Sequence, residues 1–286
     1  MPIDLTLALG AQLPPVEFAW TASDVLLYHL ALGAGVPATD PRELRYATEP
    51  NLHVLPTFAV VAPSVHATEM PRVEYPGIEI DLAKVLHGSQ RVDVQRVLPT
   101  SGSARATTRI ANIYDKGSAA VILTETTVTD LHGTALWTNT SSIFARGEGG
   151  FGGERGPSSS GGAPDREPDA VICTPTLPQQ ALLYRLLGDR NPLHSDPEFA
   201  ALAGFPAPIL HGLATYGIVC KAVVDELLDG DVSRVGAFGA RFAGVVFPGE
   251  TLKTSVWRDG GRLQLQTVVV ERADAPALSD AELITR

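Results

Sequence analysis

Apolar positions along this chain fall into two spacings, one helical and one alternating. Val25, Leu26, Leu27 and Leu30 share one helical face. Thr21 or Ser23 is placed to cap the start of that helix, and Gly33 to end it. Residues 36–50 are rich in proline and charge and read as loop, while 55–63 form a compact apolar run that Pro63 stops early. From residue 90 the pattern changes to β-branched runs at 90–97, 104–114, 119–129 and 134–146. Turn-forming segments separate them: Pro99-Thr100-Ser101-Gly102, Asp115-Lys116-Gly117 and 130–133. Four strands joined by short turns make an antiparallel sheet.

The second half repeats this order. Leu182-Leu183-Tyr184 echoes Leu26-Leu27-Tyr28, and Ala214-Thr215-Tyr216-Gly217-Ile218-Val219 echoes Pro56-Thr57-Phe58-Ala59-Val60-Val61. Leu213, Tyr216, Ile218, Val219, Val223 and Leu227 have helical spacing behind Gly212, and strands follow at 237–246, 251–258 and 262–270. The chain therefore reads as an α+β protein built from a duplicated unit, each copy a sheet wrapped around a helix. The expected boundaries are a first unit at 1–150, a Gly/Ser/Pro-rich linker at 151–170 and a second unit at 171–286. Phe151, between glycines, either anchors the linker or sits in a flexible tether. The two copies are unequal. Gly188-Asp189-Arg190-Asn191 stands where the first copy has Gly33-Ala34-Gly35, and the first central helix is much the shorter, which predicts space beneath the first sheet.

With 286 residues, 44% of them hydrophobic, there is material for two real cores. A net charge of −10 without basic clusters argues against nucleic acid and anionic membrane as partners. Cys173 and Cys220 have no zinc or redox spacing. The first residues lack a basic, signal-like start, no segment approaches membrane-spanning length, and Leu283-Ile284-Thr285-Arg286 is no peroxisomal address. A cytoplasmic protein is expected.

Chemistry concentrates in residues 184–212. Asp189, Asn191 and His194 lie two and three residues apart, with Pro192 fixing the backbone between them. A carboxylate and an imidazole so placed can clamp one water, one group taking a proton and the other giving one. The bland alternative is a solvated turn beside a histidine. Gly212, at a helix start, offers an unpaired amide at the positive end of the dipole, which suits a developing oxyanion. His211 is expected to pack near that helix start rather than titrate. His29, His53, His66 and His132 have no assigned role.

Residues 184–200 resemble the signature of the (R)-specific enoyl-CoA hydratases, the hydratase 2 or MaoC-like group of hotdog-fold enzymes. Further matching segments are Leu86-His87-Gly88, Asp115-Lys116-Gly117, 149–153, 208–216, Ala240-Arg241-Phe242 and 247–252, in order along nearly the whole chain. The resemblance implies a double hotdog whose degenerate first half carries a tunnel for the acyl chain. It implies Asp189 and His194 as the catalytic pair, Asn191 in support, and the Gly212 amide polarising the thioester oxygen. Substrate contacts are expected from His87, Gly88, Lys116, Arg190, Pro192, Leu193, Arg241 and Phe242. For His87 the competing reading is a strand-edge turn, for Lys116 a solvated lysine, and for Arg241 a structural ion pair. The implied substrate is an acyl-CoA, hydrated reversibly to the (3R)-3-hydroxyacyl-CoA by a homodimer without metal or redox cofactor. A dehydratase acting on acyl carrier protein, a hotdog thioesterase and a non-catalytic acyl-binding subunit are the alternatives. Two positions depart from the family pattern. Leu187 replaces a small residue before Gly188, and Gly244-Val245 replaces a common Lys-Pro, removing a positive charge from the expected phosphate end.

Overall fold

The computed structural model describes residues 3–49, 51–69, 74–80, 85–157 and 162–286. Among these residues ten strands form one antiparallel sheet: β1 (Val16–Trp20), β2 (Val85–Val94), β3 (Gly102–Asp115), β4 (Ala119–Asp130), β5 (Ala135–Arg146), β6 (Ala170–Pro175), β7 (Val235–Phe242), β8 (Thr251–Asp259), β9 (Arg262–Val269) and β10 (Ala275–Thr285). Their spatial order is β1-β3-β4-β5-β2-β7-β10-β9-β8-β6. Read inward from either edge, each half has the same order: first strand, third, fourth, fifth, second. The duplication heard in the sequence is thus a repeated topology. The halves meet where β2 pairs with β7, from Ser89 opposite Arg241 to Asp93 opposite Ala237. Arg91 braces the seam, bonding Asp93 at 2.8 Å and Glu282 of β10 at 2.6 Å.

The helices are α1 (Leu5–Ala8), α2 (Ala22–Ala31), α3 (Pro41–Leu44), α4 (Phe58–Val61), α5 (Gln180–Tyr184), α6 (Pro197–Leu202) and α7 (Gly212–Leu227). Thr21 caps α2 in a reciprocal capping box with Asp24. The inequality of the copies is plain: α7 runs 16 residues, whereas α4 runs four before tightening into a 3-10 turn at Pro63. Both helices lie in one large core with α2 and the sheet. Beside the short helix Trp20, Tyr28, Phe58 and Trp137, none more than 2% exposed, pack edge to face.

Several boundaries differ from expectation for local reasons. Residues 41–44 are helical because Asp40 caps the Arg42 amide and Pro41 sits at the first helical position. β2 begins at Val85, so His87 and Gly88 lie inside a strand rather than at its edge. A register shift between His87 and Ser89 marks a bulge that breaks the alternation there. β7 ends at Phe242, four residues early. The linker is no free tether over its described first part. The Asp115 carboxylate accepts the amides of Gly117, Gly150 and Gly152 at 2.8–2.9 Å, and Phe151 is buried in a second apolar cluster with Ile3, Ile78, Ile110 and Ile122. Residues 158–161 of the expected linker lie outside the described residues.

Candidate active site

After α5 the chain tightens through Arg185–Leu187 and turns at Gly188, whose φ is +106°. A β-carbon on Gly188 would overlap the carbonyl oxygen of Ser64 in the first half, so only glycine fits here. Leu187, unusual for the pattern, is buried in the main core. The turn delivers Asp189 to the surface, where its Oδ1 accepts the Asn191 amide at 3.2 Å. Asn191 in turn caps the 3-10 turn Pro192–His194, its Oδ1 accepting the Leu193 amide at 3.0 Å. Its carboxamide oxygen therefore shapes the backbone that aims His194. Arg190, Pro192 and Leu193 are half-buried along the same segment, with Arg190 Nε buried and unpartnered.

His194 is buried, and its Nδ1 lies 2.9 Å from the Ile209 carbonyl oxygen. A carbonyl only accepts, so Nδ1 carries the proton and Nε2 keeps its lone pair. Burial lowers the His194 pKa, while the bond to Ile209 and the nearby Asp189 charge oppose that shift. His211 stacks on His194 with ring centroids 3.7 Å apart and planes 26° from parallel, and Tyr184 lies 4.9 Å from its ring. His211 Nε2 donates to the Asp189 carbonyl oxygen at 3.4 Å, leaving Nδ1 buried without a partner. Burial, helped by the charges of His194 and Arg185, pushes the His211 pKa down to about 3. As expected, His211 packs and does not titrate near neutrality.

Ligand-type atoms of Asp189, His194 and His211 lie within 4.8 Å of one another. Three such groups suit a divalent metal only when their lone pairs converge. His194 Nδ1 and His211 Nε2 are already engaged by the Ile209 and Asp189 carbonyls, which leaves one nitrogen on each ring for a proton or a ligand.

Gly212 opens α7 directly after His211, and as a first-turn residue its amide has no intrahelical acceptor. Phe242, at the end of β7, covers it: a β-carbon on Gly212 would lie 3.0 Å from Phe242 Cδ1. His87 packs on Phe242 at 4.7 Å between centroids and bonds the Ser89 carbonyl and the Ser141 hydroxyl. Crowding by protein lowers the His87 pKa to about 4, yet the residue keeps exposed surface. The Asp189 charge opposes the shift, which ties His87 of the first half to the acid of the second. Gly88 sits at the bulge, against Ser142.

Two expected contacts are engaged elsewhere. Arg241 pairs with Asp280 at 3.2 Å, the structural reading weighed for it. Lys116 stays with its own hairpin, donating to the Pro157 carbonyl at 2.9 Å and leaning over Tyr114. Near Gly244-Val245, Arg272 bonds the Val245 carbonyl and is paired with the Glu250 carboxylate, so it is engaged within the fold. Tyr184 went unassigned in the sequence, although its echo in Tyr28 was visible. The two rings lie 6.3 Å apart, and the Tyr184 hydroxyl is buried without a partner.

Residues 159–277 match the MaoC like domain and residues 18–147 the MFE-2 hydratase 2 N-terminal domain. The chain is 62% identical over 284 residues, 99% of each chain, to a Mycobacterium tuberculosis protein named enoyl-CoA hydratase ChsH3. It is 42% identical to the peroxisomal enoyl-CoA hydratase 2 of Arabidopsis thaliana, covering 93% of this chain and 91% of that one. A MaoC-like dehydratase structure from Phytophthora capsici superposes with a TM-score of 0.89 at 29% identity, over 99% of this chain and 98% of that one. A Mycobacterium tuberculosis protein described as a double hotdog superposes at 0.56 with 13% identity, over 98% and 97% of the two chains, a likeness of fold alone. On this evidence the chain belongs to the MaoC-like hydratase 2 family and has its double hotdog fold.

Proposed function

We propose that the protein hydrates trans-2-enoyl-CoA reversibly to (3R)-3-hydroxyacyl-CoA, in fatty-acid or sterol side-chain metabolism. The observation that carries this reading is the meeting of an exposed carboxylate, Asp189, with the unprotonated Nε2 side of His194 beside the free amide end of α7. In this reading the Gly212 amide draws charge onto the thioester oxygen, which polarises the conjugated double bond. Water held between Asp189 and His194 attacks C3, giving up a proton to the pair, and the pair returns a proton to C2. One O–H bond and the C2–C3 π bond break, one C–O and one C–H bond form, and no electrons leave the substrate. The chemistry calls for no redox cofactor.

The names of the relatives support the same substrate class, since proteins similar over their full length are called enoyl-CoA hydratases. The R configuration follows from the family signature around Asp189. Asp189 and His194 come from one short segment, so oxygen and proton arrive on one face of the enoyl group. The same reading carries forward a homodimer, a cytoplasmic site of action and an acyl chain housed in the first half. Among the described residues no helix is long and apolar enough to cross a membrane. The test is to follow loss of enoyl absorbance and couple the product to dehydrogenases of opposite specificity. An R-specific enzyme responds and an S-specific one does not. Free CoA without hydroxyacyl product overturns the reading in favour of a thioesterase.

A further inference from the structure

We propose that His211 is a positioning residue that holds the His194 imidazole and the Asp189 carboxylate at their working separation. The reaction it serves rests on the hydratase reading; the positioning role rests on the geometry of His211 itself. One ring touches both partners. Its face lies 3.7 Å from the His194 ring, and its Nε2–H reaches the carbonyl oxygen of the very residue that carries the acid. Motion of either partner would strain a contact to His211. Tyr184 closes the other side at 4.9 Å, so the ring is clamped rather than free to follow.

Two further features argue against mere packing. His211 occupies the N-cap of α7, where Ser, Thr, Asp or Asn would bond a free helix amide, yet its side chain makes no capping bond. The ring is turned into the site instead. Its Nδ1 is also left without a partner in a residue only 1% exposed, which is unfavourable for a buried acceptor. A residue kept only to fill space would be served better by phenylalanine. The titratable and charged groups around the pair are Asp189 on its own loop, Arg185 on the preceding turn and Tyr184 of α5. Buried and neutral among them, His211 can stay uncharged when His194 takes a proton.

The experiment compares the full-length wild type with His211→Phe, which keeps an aromatic face, and His211→Gln, which keeps an N–H toward Asp189. Steady-state kinetics on crotonyl- and decenoyl-CoA, thermal unfolding and imidazole nitrogen NMR are measured for each. His211→Phe should lower kcat by more than about tenfold with KM within about twofold, since sub-ångström misplacement acts on the chemical step. Its Tm should equal or exceed that of the wild type, and His211→Gln should recover part of kcat. By NMR, His194 should show a single Nδ1–H tautomer in the wild type, where the clamped ring keeps its bond to the Ile209 carbonyl, and a mixture in His211→Phe, where the loosened ring leaves that bond. A His211→Phe kcat within about twofold of wild type, or losses that track a falling Tm in both variants, overturns the proposal. Should the wild type hydrate no enoyl-CoA, the functional reading fails. The His194 tautomer then decides the role of His211: a mixture in His211→Phe upholds it, and an unchanged single tautomer rejects it.

Discussion

Gly188 and Ser64 touch backbone to backbone across the two halves of the sequence. Gly188 has φ of +106°, and any β-carbon on it would meet the Ser64 carbonyl oxygen. The residue before the acid is thus set against the 3-10 turn that follows the shortened helix of the first half. The degenerate copy still fixes where Asp189 stands.

Gly188→Ala should therefore cost both stability and activity. A side chain is strained at this φ and also overlaps Ser64, so a loss of about 2 kcal/mol is expected. Urea unfolding gives the first number and kcat/KM the second. If alanine were accommodated with neither changed, the acid would not be positioned through this contact.

Asp189→Asn and His194→Gln each remove a proton-transfer group at nearly constant volume. Each should lower kcat by more than about a hundredfold, the scale of general acid–base catalysis, with the circular dichroism spectrum and Tm preserved. Asn191→Ala should behave differently. It loses the cap on the turn that carries His194, so a stability loss of about 1 kcal/mol accompanies a smaller fall in kcat. Turnover near wild type in either acid–base variant would remove the pair from the mechanism.

How much of this was legible depends on where the information lies. Strands β3 and β4 could be read because β-branched residues run through them, at Thr107, Thr108, Ile110 and Ile113 and at Val121, Ile122 and Val128. Strand β10 went unseen: Pro276 and a positive φ at Asp280 interrupt it, and its register shifts against both neighbours. The exposed edge strand β6 and the five-residue β1 carry too little apolar alternation to stand out. Asp189 and His194 were found together because they lie only five positions apart in sequence. The stack of His194 on His211 and the contact of His87 with Phe242 join distant segments, so spacing along the chain does not reveal them. The aromatic packing of the first half is hidden for a related reason: Trp20 and Trp137 come from strands far apart in sequence.

That aromatic packing makes a prediction about substrate length. Phe58 lies between Trp20 at 6.5 Å and Tyr28 at 5.5 Å, on the helix whose shortness distinguishes the first copy. If the acyl chain is housed there, Phe58→Leu should raise kcat/KM for decenoyl-CoA relative to crotonyl-CoA by opening room at the chain's far end. Phe58→Ala should do so more strongly, at a stability cost of about 3–5 kcal/mol. An unchanged ratio in a folded Phe58→Leu variant would place the acyl chain elsewhere.

The pH dependence of stability follows from histidines buried neutral. His29 donates from Nδ1 to the Tyr46 carbonyl and accepts the Leu55 amide at Nε2, so a second proton would face a donor. Burial is the main cause that lowers its pKa to about 3, and His211 is likewise pushed down to about 3. Both groups titrate near 6.5 when free of the fold. Between those values the unfolded chain binds the extra proton and the folded chain does not. Stability is therefore fully present above pH 6.5 and is lost as pH falls toward the folded values. Each such histidine contributes a slope of about 1.4 kcal/mol per pH unit in that window. The carboxylates held below their ordinary range, such as Asp169 at about 2, act only at lower pH, so the window isolates the histidines. Unfolding free energies from urea melts should be level above neutrality and decline below pH 6.5, with His29→Gln reducing the slope by one proton. No decline above pH 4.5, or a slope unchanged in His29→Gln, would mean that these rings accept protons inside the fold.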